Sequence, residues 1–323
     1  MADILEFDDK AVSRAVAVLT RGGLVAIPTE TVYGLAADAA HGEGVAGIFA
    51  AKGRPQFNPL IAHVDSIAMA ERYVTFDPIS RKLAEAFWPG PLTLVLPLKT
   101  KQDTPRPIHP LVTAGLDTLA IRMPTGQVRD VIKNLDSPVA APSANTSGRI
   151  SPTSAKAVAD DLGDKIDMIL DAGPSGVGVE STILKVEGER VRLLRPGGLA
   201  AEEIEALIGV KLKRAEHKAA IQAPGMMESH YAPDAAVRLD AASVDAGEAL
   251  LAFGPKRVAD ADKAVSTLNL SPSGDLREAA SNLFDFMRRL DASGARTIAV
   301  EPIPFDGLGE AINDRLKRAA APR

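Results

Sequence analysis

The sequence predicts an α/β chain, a mixed sheet flanked by helices and followed by a second, smaller and largely parallel α/β unit. Three observations predict it. Short runs rich in Val, Ile and Leu alternate with helical patterns as far as residue 209. Two late runs, "STILKV" (181–186) and "RVRLL" (190–194), are joined only by "EGER", a hairpin, which makes the sheet mixed rather than wholly parallel. After a linker the alternation resumes. At 323 residues the chain is long for one core. We therefore expect a catalytic-type domain over 1–210, a linker over 211–235 and a small domain over 236–323.

In chain order, the strand-like runs of the first domain are "LVAIP" (24–28), "PLIAHV" (59–64), "LTLVLPL" (92–98) and "TLAIRMP" (118–124). "VAAPSA" (139–144), "MILDAG" (168–173) and the two hairpin runs complete them. An early helix is written in "DKAVSRAVAVLTRGG", with apolar residues at 12, 15, 16 and 19 and Gly22 as its stop. "ISPTSAKAVADDLG" predicts another, with Ser151 before Pro152 as the best N-cap candidate. "AEEIEALIG" closes the domain near 209. Beyond the linker come "AVRL", "EALLAF" and "AVSTLNL", then a helix face at 276, 280, 283, 284, 287 and 290. "TIAVEP" and a terminal helix, "GLGEAINDRLKRA", finish the chain.

The totals exclude several classes. With no Cys there are no disulfides, thiolate nucleophiles or Cys-ligated zinc, which fits a reducing cytoplasm. The acidic start "MADILEFDDK" is unlike a secretory or transit peptide, and no apolar run is long enough to span a bilayer. The net charge of −5 sits wholly in residues 1–210, which hold 21 Lys+Arg against 26 Asp+Glu. Residues 211–323 hold 16 of each, so neither part has the basic excess of a bulk nucleic-acid binder.

Walker A, H-E-x-x-H and G-x-S-x-G are all absent. "GEGVAG" (42–47) has the outline of a dinucleotide fingerprint, with Asp65 about 20 residues on. The segment before it, "GLAADAAH", is Ala-rich with a central Asp, unlike a buried Val/Ile strand, and this argues against a dinucleotide site. In "AKGRPQFNP" (51–59), Lys52 and Arg54 flank a Gly at a helix end. They suit either a C-terminal turn complementing the helix dipole or an anion clamp, in which Arg grips phosphate by two donors. "APSANTSGRISP" (141–152) gathers Ser143, Asn145, Thr146, Ser147 and Ser151 between a strand and a helix. That is more hydroxyl and amide than one cap needs, at a place where α/β sheets bind ligands and phosphates. "IPTETVYGL" (27–35) is by itself an ordinary loop, and His63 an ordinary core histidine. The linker stretch "APGMMESHYAP" (223–233) spends two of seven Met, one of five His and one of three Tyr where connectors are usually featureless.

Together, "IPTETVYGL", "KGRPQFNPL", "PGPLTLVL", "AIRMP", "PSANTSG" and "ESTILKV…LLRPGG" resemble, in order and spacing, the YrdC-like domain of threonylcarbamoyl-AMP synthases. The resemblance runs over about residues 8–210. "APGMMESHYAP" resembles the linker of the long members, and 236–323 their Rossmann-like C-terminal domain. The linker departs from the commonest form at Ala223, where Ser is usual, and in the residues after the Met pair.

The resemblance implies a twisted mixed sheet with a concave, locally positive cavity. The implied reaction takes L-threonine, bicarbonate and ATP with Mg²⁺ to threonylcarbamoyl-AMP and pyrophosphate. The product then goes to separate transferase proteins that modify tRNAs reading ANN codons. It further implies Lys52, Arg54 and Arg195 on the triphosphate, with Asn58, Thr118, Ser143, Asn145, Ser151 and Tyr231 also at ATP. Thr31, His63, Arg122, Ala141 and Ser181 are implied at threonine. Lys52 and Arg54 act electrostatically, with no acid, base or metal ligand assigned. Such a step needs alignment and charge neutralisation more than a proton shuttle. Because the intermediates are lost to water, residues 223–233 are read as a lid, with His230 and Tyr231 reaching the nucleotide. Two readings compete: a non-catalytic module holding structured RNA in the same pocket, and a carbamoyltransferase of the same fold. The latter needs Cys-rich zinc segments that this chain lacks.

Overall fold

The computed structural model describes residues 2–104, 106–214 and 230–322. The first part begins with β1 (Asp3–Glu6), α1 (Asp9–Thr20), β2 (Val25–Ile27), β3 (Gly34–Asp38) and α2 (Gly42–Lys52). It continues with β4 (Ile61–His63), α3 (Ile67–Glu71), α4 (Pro78–Phe87), β5 (Leu92–Pro97), α5 (Pro110–Thr113) and β6 (Thr118–Arg122). Then come α6 (Val128–Leu135), β7 (Val139–Ala140), α7 (Ala155–Leu162) and β8 (Met168–Asp171). The hairpin β9 (Thr182–Glu187) and β10 (Arg190–Arg195), α8 (Ala201–Ile208) and β11 (Lys213–Arg214) close it. These eleven strands form one mixed sheet in the order β1-β8-β2-β3-β7-β4-β6-β5-β9-β10-β11.

Every apolar run read as a strand contains one, and the hairpin pairs antiparallel as expected. Three strands lie outside those runs. β1 is a largely exposed edge strand, and β11 extends the sheet into the stretch read as linker. β3 is the Ala-rich "GLAAD", wholly buried, and it corrects the argument from composition against the glycine motif that follows. The dinucleotide reading fails for other reasons. β3 is antiparallel to both of its neighbours, whereas a dinucleotide unit needs adjacent parallel strands. The glycines themselves face protein: a Cβ on Gly44 lies 3.2 Å from Gly22 O, and one on Gly42 lies 3.0 Å from His109.

Helix amphipathicity places the core. α1 buries Ala11, Val12, Ala15, Val18 and Leu19; Val12, Ala15 and Leu19 were expected, Val16 is only half-buried, and Asp8 caps the helix through the Ala11 amide. Each such Leu or Val contributes about 1.5–3 kcal/mol by leaving water. α7 is capped by Ser154 rather than Ser151, which lies deeper and is engaged elsewhere. A separate apolar patch of Ile61, Val95, Ala120, Ile183 and Leu194 floors one face of the sheet.

The second unit holds β12 (Ala236–Arg238), β13 (Ala249–Ala252), β14 (Thr267–Asn269), α9 (Leu276–Asp291), β15 (Thr297–Val300) and α10 (Gly309–Ala319). Its four strands are all parallel, in the order β12-β15-β13-β14. α9 buries Ala280, Leu283, Phe284, Met287 and Leu290 on this sheet, again the face legible in the sequence. Val32, Ile150 and Val179 of the first unit belong to the same apolar cluster, so the two units share a core.

Candidate active site

A cavity opens beside that apolar patch, which contributes Ile61 to its lining, and polar loops make its walls. The free space within it is about 50 Å³.

One wall begins where α2 ends. Gly53 takes the left-handed conformation (φ 60°) that ends the helix and turns Arg54 inward. Lys52, on the last turn, is buried and donates to Ser143 O at 2.6 Å and Asn145 O at 2.5 Å. Its ammonium therefore serves the "PSANTSG" loop and not its own helix end, which removes the dipole-capping reading. Arg54 folds back to donate to Asn58 O (3.2 Å) and Pro59 O (2.9 Å). Arg195, closing β10, donates to Ser181 O at 2.9 Å and to Ser181 Oγ at 3.2 Å. All three donate to main-chain carbonyls, and for Lys52 and Arg54 these fix direction without cancelling charge. Burial, then the Arg54 charge, keeps Lys52 well below the usual lysine range, and burial brings Arg54 down to about 10.

The loops interlace tightly. Ala144 N donates to Tyr33 O and Tyr33 N to Pro152 O, so "TETVYGL" and "PSANTSGRISP" are sewn together. A Cβ on Gly34 would sit 3.2 Å from that of Ala141. Asn145 spends its amide nitrogen on Thr146 O and Arg149 O, while its Oδ1 has no hydrogen-bond partner among the described residues.

The opposite wall is organised by Arg122, the last residue of β6. Its guanidinium donates to Thr31 Oγ1 (2.8 Å) and Gly90 O (3.2 Å), and pairs with Glu30 at 2.7 Å. Thr31 in turn meets Thr29 Oγ1 at 2.8 Å, and Ser181 Oγ meets Thr93 Oγ1 at 2.8 Å. His63, at the end of β4, lies beside Ile61 O and is fully enclosed. Burial, reinforced by Arg122, lowers its pKa to about 3, so it is neutral.

Of the residues expected at the site, Thr31, Arg54, His63, Arg122, Ala141 and Ser143 line the cavity directly, as do Ser181, Arg195 and Tyr231. Lys52, Asn58 and Asn145 stand one bond behind, through the contacts just described. Thr118 lies further along, at the far end of the strand face it shares with Ala120 and Arg122. Ser151 does not line the cavity; its hydroxyl donates to Glu180 Oε1 at 2.6 Å. Tyr231 is buried at φ 63°, a strained backbone for an aromatic residue, with its ring 4.1 Å from that of His230 and 5.5 Å from that of Phe284. His230 also lines the cavity, held neutral with a pKa lowered by burial to about 3. Residues 223–229 of the expected lid lie outside the described residues.

Three participants were not named as site residues from the sequence: Glu30, Glu180 and Arg315. Glu30 and Glu180 stand inside the recognised "IPTETVYGL" and "ESTILKV" stretches, which was their available hint; Arg315 had none. Glu180 sits between Ser151 and Arg315, 2.7 Å from the latter's Nε.

Residues 17–197 match the family profile described as telomere recombination (Sua5, YciO and YrdC). Residues 199–321 match the profile of the threonylcarbamoyl-AMP synthase C-terminal domain. The threonylcarbamoyl-AMP synthase of Bacillus subtilis strain 168 is 40% identical over 100% of this chain and 96% of its own. That of Pyrococcus abyssi is 40% identical over 96% of this chain and 94% of its own. Among solved structures, P. abyssi Sua5 complexed with L-threonine superposes with a TM-score of 0.88 at 36% identity, covering 99% of this chain and 97% of that one.

Proposed function

The chain belongs to the threonylcarbamoyl-AMP synthase family, and from that premise we propose that it makes threonylcarbamoyl-AMP and pyrophosphate from L-threonine, bicarbonate and ATP. The threonine amine adds to the carbon of bicarbonate with loss of water, giving a carbamate. A carbamate oxygen then attacks the α-phosphorus, and the bond to pyrophosphate breaks. The reacting groups are anionic throughout, so charge placement governs the rate.

What supports this reading is that one cavity gathers two chemistries. Lys52, Arg54 and Arg195 are held by carbonyls and suit a triphosphate, with Ser143 and Tyr231 on the cavity wall and Asn58 and Asn145 behind it; Thr118 and Ser151, also assigned to ATP, lie off that wall. Arg122, Thr31, His63, Ala141 and Ser181 suit threonine: a guanidinium for the carboxylate and hydroxyls for the side-chain oxygen. No described residue is assigned as an acid or base; catalysis is by positioning. Mg²⁺ enters with ATP. No cluster of three acidic or histidine ligands exists among the described residues, and Glu180 on the cavity wall and Glu30 behind it are engaged by arginines. These residues do not build a metal site, and no step is routed through the ion.

We place the product upstream of transferase proteins that modify tRNAs reading ANN codons, in the cytoplasm. The test is pyrophosphate release from ATP with each substrate omitted in turn and the product identified by mass. Release requires threonine and bicarbonate together; release without threonine rejects the assignment.

A further inference from the structure

Glu180 is a carboxylate set among the cations of a site for a polyanion, and alone it opposes ligand binding. Its charge is met from the other unit. Arg315 stands on α10, near the end of the chain, and its side chain is wholly enclosed (0% exposed) with Nε 2.7 Å from Glu180 Oε2. The same guanidinium also donates to Asp314 at 2.7 Å, and two further contacts and one step along the chain run out from the pair. Ser151 Oγ donates to the other Glu180 oxygen at 2.6 Å. The Arg315 guanidinium lies 5.1 Å from the centroid of the Tyr231 ring, which stacks on Phe284 of α9. Glu180 also precedes Ser181, whose carbonyl orients Arg195. The backbone here is shaped for the approach of the second unit. Gly178 takes φ 77°, and a Cβ on it would lie 2.3 Å from Ala280 O of α9.

We propose that Arg315 is a positioning residue of the nucleotide end of the cavity. Through Glu180 it fixes Ser151 and the Ser181 carbonyl that aims Arg195, and through its flat face it seats Tyr231. The ATP site is therefore complete only with the C-terminal unit docked. This rests on the function proposed above for the cavity, but it predicts a ligand-specific defect that a simple staple between domains does not.

The experiment uses the full chain with Glu180→Gln, Arg315→Met and the double variant. Melting temperature, KM for ATP, KM for threonine, and affinity for ATP alone by calorimetry are measured for each. Each single change raises KM for ATP by about tenfold and moves KM for threonine less than about threefold. The double variant is no worse than the worse single one, because the pair acts as a unit. If Arg315→Met fails to fold, the near-isosteric Glu180→Gln carries the test. A lowered melting temperature with KM for ATP unchanged, or additive effects of the two changes, overturns the proposal. Should the wild type release no pyrophosphate at all, the functional reading fails, and the ATP titrations still decide the positioning role.

Discussion

The cations we assign to the two ligands are held in opposite ways. Arg54 and Lys52, assigned to the nucleotide, donate to main-chain carbonyls, so their positive charge stays available to a ligand. Arg122, assigned to threonine, already faces Glu30 at 2.7 Å, and its charge is largely balanced. The difference follows the ligands. A triphosphate brings several negative charges and needs unspent cations, whereas an amino acid is a zwitterion and is best met by a guanidinium with a carboxylate beside it.

The contrast breaks most sharply at Lys52. Lys52→Ala lowers turnover by well over tenfold, on the order of 2–4 kcal/mol of transition-state stabilisation. Turnover near wild type removes the phosphate clamp. Next in size, Arg122→Ala raises KM for threonine by about tenfold or more through loss of a charged, bidentate contact. Steady-state kinetics at saturating ATP measures it, and an unchanged threonine requirement contradicts the role.

Tyr231→Gly is a smaller and more diagnostic change. It removes the ring that bridges Arg315, Phe284 and His230 but also relieves a strained backbone at φ 63°. ATP binding weakens several-fold while the melting temperature falls less than a buried aromatic ordinarily costs, because the strain of about 1–3 kcal/mol is partly released. A full-sized loss of stability with unchanged ATP affinity makes Tyr231 mere packing.

A last effect is on pH dependence, read in stability rather than in catalysis. His63 and His230, both on the cavity wall, have pKa values lowered from 6.5 to about 3 by burial. Below pH 6.5 the unfolded chain binds protons that the folded chain refuses, so stability falls as pH falls through that range. Each histidine contributes up to about 1.4 kcal/mol per pH unit to this slope. Replacing His63 with Gln flattens the acid limb in denaturant titrations; an unaltered slope means the imidazole is not held neutral.

Much of this was legible in the sequence because it was local. The Val/Ile/Leu runs, the "EGER" hairpin, the α9 face and the K-x-R and S-x-N stretches all declare themselves within a few residues. β3 did not, because "GLAAD" is Ala-rich for packing: α2 comes so close that a Cβ on Gly44 would lie 3.3 Å from that of Ala37. Small residues there lower strand propensity but permit the approach. Ser151 reads as a cap until Glu180, 29 residues on, claims its hydroxyl and leaves the cap to Ser154. Glu180 and Arg315 are 135 residues apart, on different units, and no pattern along the chain announces a pair of that kind.

The division of the cavity is tested most directly by titrating ATP and L-threonine separately, in a calorimeter, against the wild type, Lys52→Ala and Arg122→Ala. The predicted pattern is crossed. Lys52→Ala loses affinity for ATP and keeps threonine within about twofold, and Arg122→Ala does the reverse. Equal losses of both ligands in both variants would contradict a site built in two electrostatic halves.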